Sequence, residues 1–299
     1  TKQILEQFYQ KTQGEITRSF LSRMITRLES EQSVKEYLDI MDHRKTEQLI
    51  DTLDKVEQNR KECYIREFSI EHFHDSKVFE TLIPKICKIF REENEELTGF
   101  ENEEILAEYQ IYKTPGYVYM KGNVQIYSAG KQAADISAFP EGIAVAVGSE
   151  EDVPDICPDQ TIDKVFTIEN LTSFYRFKQE HSLVIYLGGY HDRSRRNLLM
   201  QIYQKLPDAQ YYHFGDLDAG GFYILEHLKR KTGIPFQMFQ MDIETLKKYE
   251  DYAKPLTEND KKRLMQLEKM ELPDEERKLI TYMLQKGIKL EQECISESQ

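Results

Sequence analysis

The stretch Tyr211-Tyr212-His213-Phe214-Gly215-Asp216-Leu217-Asp218-Ala219-Gly220-Gly221 decides how the rest of the chain is read. An aromatic, apolar run ends in Asp-x-Asp, two glycines follow, and Phe222, Ile224, Leu225 and Leu228 then recur at helical spacing. The pattern predicts a buried strand that carries two carboxylates to the rim of a sheet and turns at once into a helix. Side chains two apart on an extended segment point the same way, so Asp216 and Asp218 offer their oxygens together. Such a pair at an open strand end suits Mg²⁺, which takes one or two carboxylates and keeps water positions for substrate phosphate. The plainer alternative is an acidic turn without a metal, because Asp and Gly are ordinary turn residues.

Working outward, Val165-Phe166-Thr167-Ile168 is a second apolar run, ending in Glu169-Asn170 before a helical pattern opens at Leu171. Leu183-Val184-Ile185-Tyr186-Leu187 is a third, with Gly188-Gly189 at its end and His191, Arg193, Arg195 and Arg196 just beyond. Pro235 to Met241 makes a fourth. Strands alternating with helices at this spacing predict βαβ units and a parallel four-stranded sheet. In open α/β sheets the functional groups gather at the carboxyl ends of the strands. Glu169, Gly188, Gly189, Asp216 and Asp218 all fall there, although Glu169 read alone could equally cap a helix or form a salt bridge.

The order Glu, Gly-Gly, Asp-x-Asp-x-Gly on such a unit resembles the Toprim domain of topoisomerases, primases and related nucleases. The wording of Ile168-Glu169-Asn170-Leu171, Leu187-Gly188-Gly189-Tyr190 and His213 to Gly221 is closer still to the JetD family. Its members are nuclease subunits of the Wadjet anti-plasmid systems, distantly related to the A subunit of topoisomerase VI. Arg66-Glu67-Phe68-Ser69-Ile70, with Phe73 to Glu80, resembles the block entering that family's middle domain, and Leu290-Glu291-Gln292-Glu293 its C-terminal motif. The likeness runs from about residue 60 to the end of the sequence.

The resemblance implies a metal-dependent endonuclease that hydrolyses phosphodiester bonds of plasmid DNA. Asp216 and Asp218 would hold Mg²⁺ or Mn²⁺, and Glu169 would complete a second metal site or take a proton from the attacking water. Arg193 or Arg196 could clamp phosphate, with Gly188, Gly189 and His191 as further contacts. Glu291 and Glu293 could add carboxylates, and a surface helix end explains them as well. The topoisomerase relatives attack DNA through a tyrosine. No Arg-x-x-Tyr-Tyr arrangement occurs between residues 61 and 150, so hydrolysis without a covalent tyrosine intermediate is expected. Cutting both strands calls for two sites related by a two-fold axis, hence a homodimer, and the family implies an SMC-type, condensin-like partner complex.

Two rivals belong beside this reading. A haloacid-dehalogenase-type phosphatase also places Asp-x-Asp at a strand end, but there the motif opens the fold. The other is a catalytically silent Toprim-like scaffold that binds DNA for the same complex.

The remaining sequence sets the organisation. Residues 1–60 carry apolar residues at helical period, such as Phe20, Leu21, Met24, Ile25 and Leu28, then Val34, Tyr37, Leu38 and Met41, then Leu49, Ile50, Leu53 and Val56. They are expected to form a helical arm or dimerisation region. Residues 61–150 read as a winged-helix-like DNA-binding domain: helices over Val78–Phe90 and Asn94–Tyr109, then a hairpin of Tyr117–Met120 and Val124–Tyr127 around Gly122-Asn123. Residues 148–160, rich in Glu, Asp and Pro, form a linker into a Toprim catalytic domain at 151–299 with C-terminal helices. The expected fold class is thus an α+β N-terminal region followed by an α/β Toprim domain. A net charge of −13 excludes a simple basic nucleic-acid binder, although charge distribution rather than the sum governs phosphate contact. The four cysteines are scattered, without zinc-ligand spacing. No apolar run reaches bilayer-spanning length and no leader pattern opens the sequence. A reduced, cytoplasmic setting is expected, and the non-Met first residue suggests further residues upstream of Thr1.

Overall fold

A computed structural model of the chain describes residues 1–97, 100–113, 116–128, 130–147, 155–188, 191 and 193–295. The chain divides into two compact units, Thr1–Pro115 and Gly116–Gln299.

The first unit is mainly helical: α1 (Lys2–Lys11), α2 (Glu15–Glu29), α3 (His43–Gln58), β1 (Cys63–Tyr64), α4 (Ile65–Phe73), α5 (Val78–Glu93), α6 (Asn102–Glu108) and β2 (Ile111–Tyr112). Its start and stop signals are local. Asp42 caps α3 by accepting from the Arg44 and Lys45 amides, the usual role of an Asp at that position. The Val34–Met41 segment, whose apolar spacing suggested helix, is instead a series of turns. Glu31 adopts a positive φ of 56°, which stops α2 from continuing. Val34, Tyr37 and Leu38 are nonetheless buried, and the Tyr37 ring meets Phe20 edge-on. Their apolar character therefore reflects packing rather than helical period.

The second unit contains β3 (Gly116–Lys121), β4 (Val124–Ser128), β5 (Lys131–Asp135), β6 (Ile143–Val147), β7 (Asp155–Pro158), β8 (Lys164–Ile168), α7 (Leu171–Arg176), β9 (Ser182–Tyr186) and α8 (Arg193–Lys205). It continues through β10 (Gln210–Phe214), α9 (Ala219–Thr232), β11 (Gln237–Met238), α10 (Ile243–Lys248), β12 (Lys254–Pro255), α11 (Glu258–Leu267), α12 (Asp274–Lys286) and β13 (Ile288–Lys289). The main sheet has the order β11-β10-β8-β9-β3-β6. Its first four strands are mutually parallel, as the alternation of strands and helices predicts. β3 and β6 extend it with antiparallel pairing, so the sheet is six-stranded and mixed rather than four-stranded. β8 and β9 are buried along nearly their whole length, as central strands covered on both faces must be.

The hairpin expected across Gly122-Asn123 does not form. β3 pairs with β6 and β9, whereas β4 pairs with β5 and β7 in a separate three-stranded sheet. Gly122 explains the divergence: its φ is +139°, and a Cβ there would lie 2.5 Å from the Ser182 carbonyl oxygen at the start of β9. The chain turns hard against the main sheet and leaves for the other one. Residues 116–147, grouped by sequence with a winged-helix-like domain, thus supply strands to the second unit.

Strand order places the site. The chain runs from β8 to β9 on one side and then crosses to β10 on the other side of β8. The connections therefore diverge between β8 and β10, the switch point at which open α/β sheets leave a crevice beyond their carboxyl ends.

Candidate active site

Glu169 follows directly on β8, and Asp216 follows β10 after Gly215, at that switch point. The Glu169 amide donates to the Phe214 carbonyl at 3.0 Å, which continues the ladder one residue past β8. The Asp216 amide in turn donates to Glu169 Oε2 at 3.3 Å. Gly215 makes this approach possible, because a Cβ there would stand 2.6 Å from Glu169 Oε2 and 2.9 Å from His213 Nε2. Leu217 points into the core, fully buried, leaving Asp216 and Asp218 on either side of it.

Asp218 is the N-cap of α9, its Oδ1 accepting from the Gly221 amide at 3.0 Å. Gly221 is required by packing: a Cβ there would come within 2.2 Å of the Asp216 carbonyl oxygen. Asp218 Oδ2 faces Lys289 Nζ at 3.9 Å, and that ammonium lies 2.9 Å from Asp260. Burial pushes the Asp216 carboxyl up to about 6; the Gln292 amide opposes this, while the charges of Asp218, Glu293 and Glu291 reinforce it. Asp218, Glu291 and Glu293 are thus electrostatic neighbours of Asp216.

The Leu-Glu-Gln-Glu motif is part of this site rather than a free surface end. Leu290 and Leu217 form an antiparallel bridge through two backbone hydrogen bonds of 2.9 and 3.1 Å. Glu291 is held by Lys254 at 2.5 Å, and Glu293 accepts from Asn170 Nδ2 at 2.5 Å. Between them Gln292 is fully buried. Its amide donates to Asp216 Oδ1 at 2.7 Å, its side-chain Nε2 to the Phe214 carbonyl at 2.8 Å, and its Oε1 accepts from the Asn170 amide at 2.8 Å. Sequence reasoning passed over Gln292 in favour of the glutamates beside it.

Other expected contacts lie elsewhere. His191 is 1% exposed, its Nε2 3.3 Å from His227 Nδ1, and burial next to His227 and Arg196 keeps it neutral. It faces the interior rather than the strand-end rim. Arg196 is also buried, donating to the His191 carbonyl at 2.8 Å. Arg193 begins α8, with its side chain outside the described set, and Gly189 lies outside the described residues. Gly188 adopts a φ of +70° at the end of the β9 segment. His213 is fully buried, its Nδ1 3.0 Å from Thr167 Oγ1, and burial drives its pKa down to about 3.

A cleft of about 670 Å³ opens beside Glu293 and Phe214, with Thr172, Ser173, Arg176 and Lys178 along it. Arg176 ends α7 and Lys178 lies two residues beyond it, away from the glycine pair, and no motif marks either. The oxygen-only donors at the strand ends suit a hard divalent cation, which would offset the burial and the neighbouring carboxylate charges that raise Asp216. Among the described residues, however, no group of three or more His, Cys, Asp or Glu stands in a metal-holding arrangement.

Residues 151–299 match the family model described as Wadjet protein JetD, C-terminal. A Wadjet protein JetD from Bacillus cereus (strain Q1) is 28% identical over 263 residues, covering 86% of this chain. The chain belongs to the JetD family. It spans 63% of the length of that curated relative. The part matching the JetD C-terminal model holds Glu169, Asp216, Asp218 and the 290–293 motif together. β3 and β6 lie outside it, although they complete the same sheet. Among the described residues no helix is long and apolar enough to cross a membrane.

Proposed function

We propose that this chain is a Toprim-type, Mg²⁺- or Mn²⁺-dependent DNA endonuclease that cuts plasmid DNA as part of a Wadjet complex. One observation carries the reading: Glu169 and Asp216 meet at the carboxyl ends of adjacent strands, at the point where the chain connections diverge. Asp216 and Asp218 are the residues that would hold the cation, with Glu169 beside them. When bound there, a divalent cation supplies a Lewis acid for a non-bridging phosphate oxygen and stabilises the charge that builds in the transition state. Glu169, next to the Asp216 amide, would orient the attacking water and accept its proton. Arg176 and Lys178, rather than His191 and Arg196, are the cations along the adjoining cleft and suit the DNA backbone. A homodimer places two such sites on opposite strands, and an SMC-type complex delivers the DNA.

The scaffold reading has one observation in its favour, the absence of a ready-made three-ligand metal arrangement among the described residues. A plasmid cleavage assay with Mg²⁺ or Mn²⁺ decides between them, run with and without the partner SMC complex. Linear product that Glu169→Ala and Asp216→Ala each reduce by about a hundredfold or more supports the nuclease. DNA binding by the unmutated chain without cleavage in the presence of the complex sinks it.

A further inference from the structure

We infer that Gln292 is a positioning residue of the active site, one that ties the two carboxylate-bearing strand ends to each other. This deepens the nuclease reading and rests on it. The ends of β8 and β10 already pair directly, the Glu169 amide donating to the Phe214 carbonyl at 3.0 Å. The Gln292 side chain adds a second tie from a third segment: its Oε1 takes the amide of Asn170, the residue after Glu169, and its Nε2 donates to the carbonyl of Phe214, two residues before Asp216. With the side chain so anchored, the backbone N–H of Gln292 is aimed at Asp216 Oδ1 at 2.7 Å. That bond occupies one carboxylate oxygen and orients the other.

The chemistry explains why an amide stands here between two glutamates. Position 292 must accept from one backbone group and donate to another inside a fully buried space, which a carboxylate cannot do. A negative charge there would also add to the crowding already felt by Asp216. Glu291 and Glu293 are held outward by Lys254 and Asn170, so the motif alternates one interior tie with two rim carboxylates. The Leu290–Leu217 bridge sets the register of this alternation, because a slip of one residue would bring a glutamate inside. Groups that orient metal ligands in this way change metal affinity by about 10–100-fold when removed.

The test is Mn²⁺ binding by the full chain, followed by electron paramagnetic resonance at a temperature where circular dichroism shows every variant folded. Gln292→Met keeps the volume and removes both side-chain hydrogen bonds. Gln292→Glu keeps the acceptor and loses the donor. Leu279→Ala is a structural control that removes packing from the same core cluster, on α12 and away from the 290–293 motif. Both Gln292 variants are expected to bind Mn²⁺ at least about tenfold more weakly than the unmutated chain. Leu279→Ala should lower the melting temperature and keep the affinity within twofold. Unchanged affinity in the Gln292 variant or variants that fold, or a loss in Leu279→Ala equal to theirs, overturns the positioning role while leaving the metal reading intact. Failure of the unmutated chain to bind Mn²⁺ sinks the metal reading and this inference with it.

Discussion

At Gly215 a single hydrogen in place of a side chain allows Glu169 to reach the Asp216 amide. Gly215→Ala would put a methyl group 2.6 Å from Glu169 Oε2, so the carboxylate must move. We expect metal-dependent cleavage to fall at least about tenfold, since sub-ångström placement governs such sites. Steady-state cleavage alongside a thermal melt checks this, and wild-type activity would show that Glu169 needs no such approach. Residue-scale burial also sets a pH dependence. The His213 pKa lies at about 3, below the ordinary 6.5, because burial disfavours the charged ring, and His191 is lowered for the same reason. The unfolded chain therefore takes up protons that the folded chain refuses, so stability is full above about pH 6.5 and declines as pH falls toward 3. The neutral His213 should contribute a loss of roughly 2 kcal/mol between pH 7 and 5, and His191 adds a loss of the same sign. Urea unfolding of the wild type and His213→Gln at both pH values tests this; equal losses in the two proteins would rule out His213 as a source.

At the scale of the element, α9 starts on a residue with two duties. Asp218 caps the helix through Gly221 and presents its second oxygen near Lys289. Asn caps a helix about as well as Asp, and Ala costs about 1 kcal/mol. Asp218→Asn should therefore hold stability within about 0.5 kcal/mol while cleavage is lost, whereas Asp218→Ala should lose both. Chemical denaturation paired with cleavage separates the two duties, and an active Asp218→Asn protein would mean that its charge is not needed. The same economy marks Asn170, which caps α7 by accepting from the Thr172 and Ser173 amides while its Nδ2 holds Glu293. Helix starts and site geometry share residues here because both occur where strands end.

At the scale of the whole molecule, the family match and the fold divide the chain differently. The match to the JetD C-terminal model begins at residue 151, yet β3 and β6, at residues 116–121 and 143–147, complete the main sheet. A fragment of 151–299 would expose the edge of β9 and the apolar contacts of Val118 and Met120, both fully buried in the intact chain. Such an unpaired edge invites aggregation. We expect residues 116–299 to give a soluble fragment with a cooperative melt and residues 151–299 to aggregate or melt without cooperativity. Size-exclusion chromatography and calorimetry of the two fragments measure this. A stable 151–299 fragment would show that the antiparallel strands are dispensable.

The sequence by itself determined the parallel strands, the carboxylates at their ends and the helices that follow. Those features are written in local terms: an apolar run of strand length, then Glu169-Asn170 or Asp216 to Gly221, then helical period. It also determined the family, through the wording around Glu169 and Asp216 and the Leu-Glu-Gln-Glu motif. Tertiary structure alone decided which strands pair. Val118 and Met120 alternate inward just as Val124 and Ile126 do, and nothing in that period states that β3 joins β9 while β4 joins β7. Local alternation fixes which face is buried, not the identity of the neighbour. The pairing of His191 with His227 and the tie made by Gln292 were hidden for the same reason. Each depends on a partner far along the chain, brought near only when burial of the sheet's apolar faces folds residues 164–295 around β8.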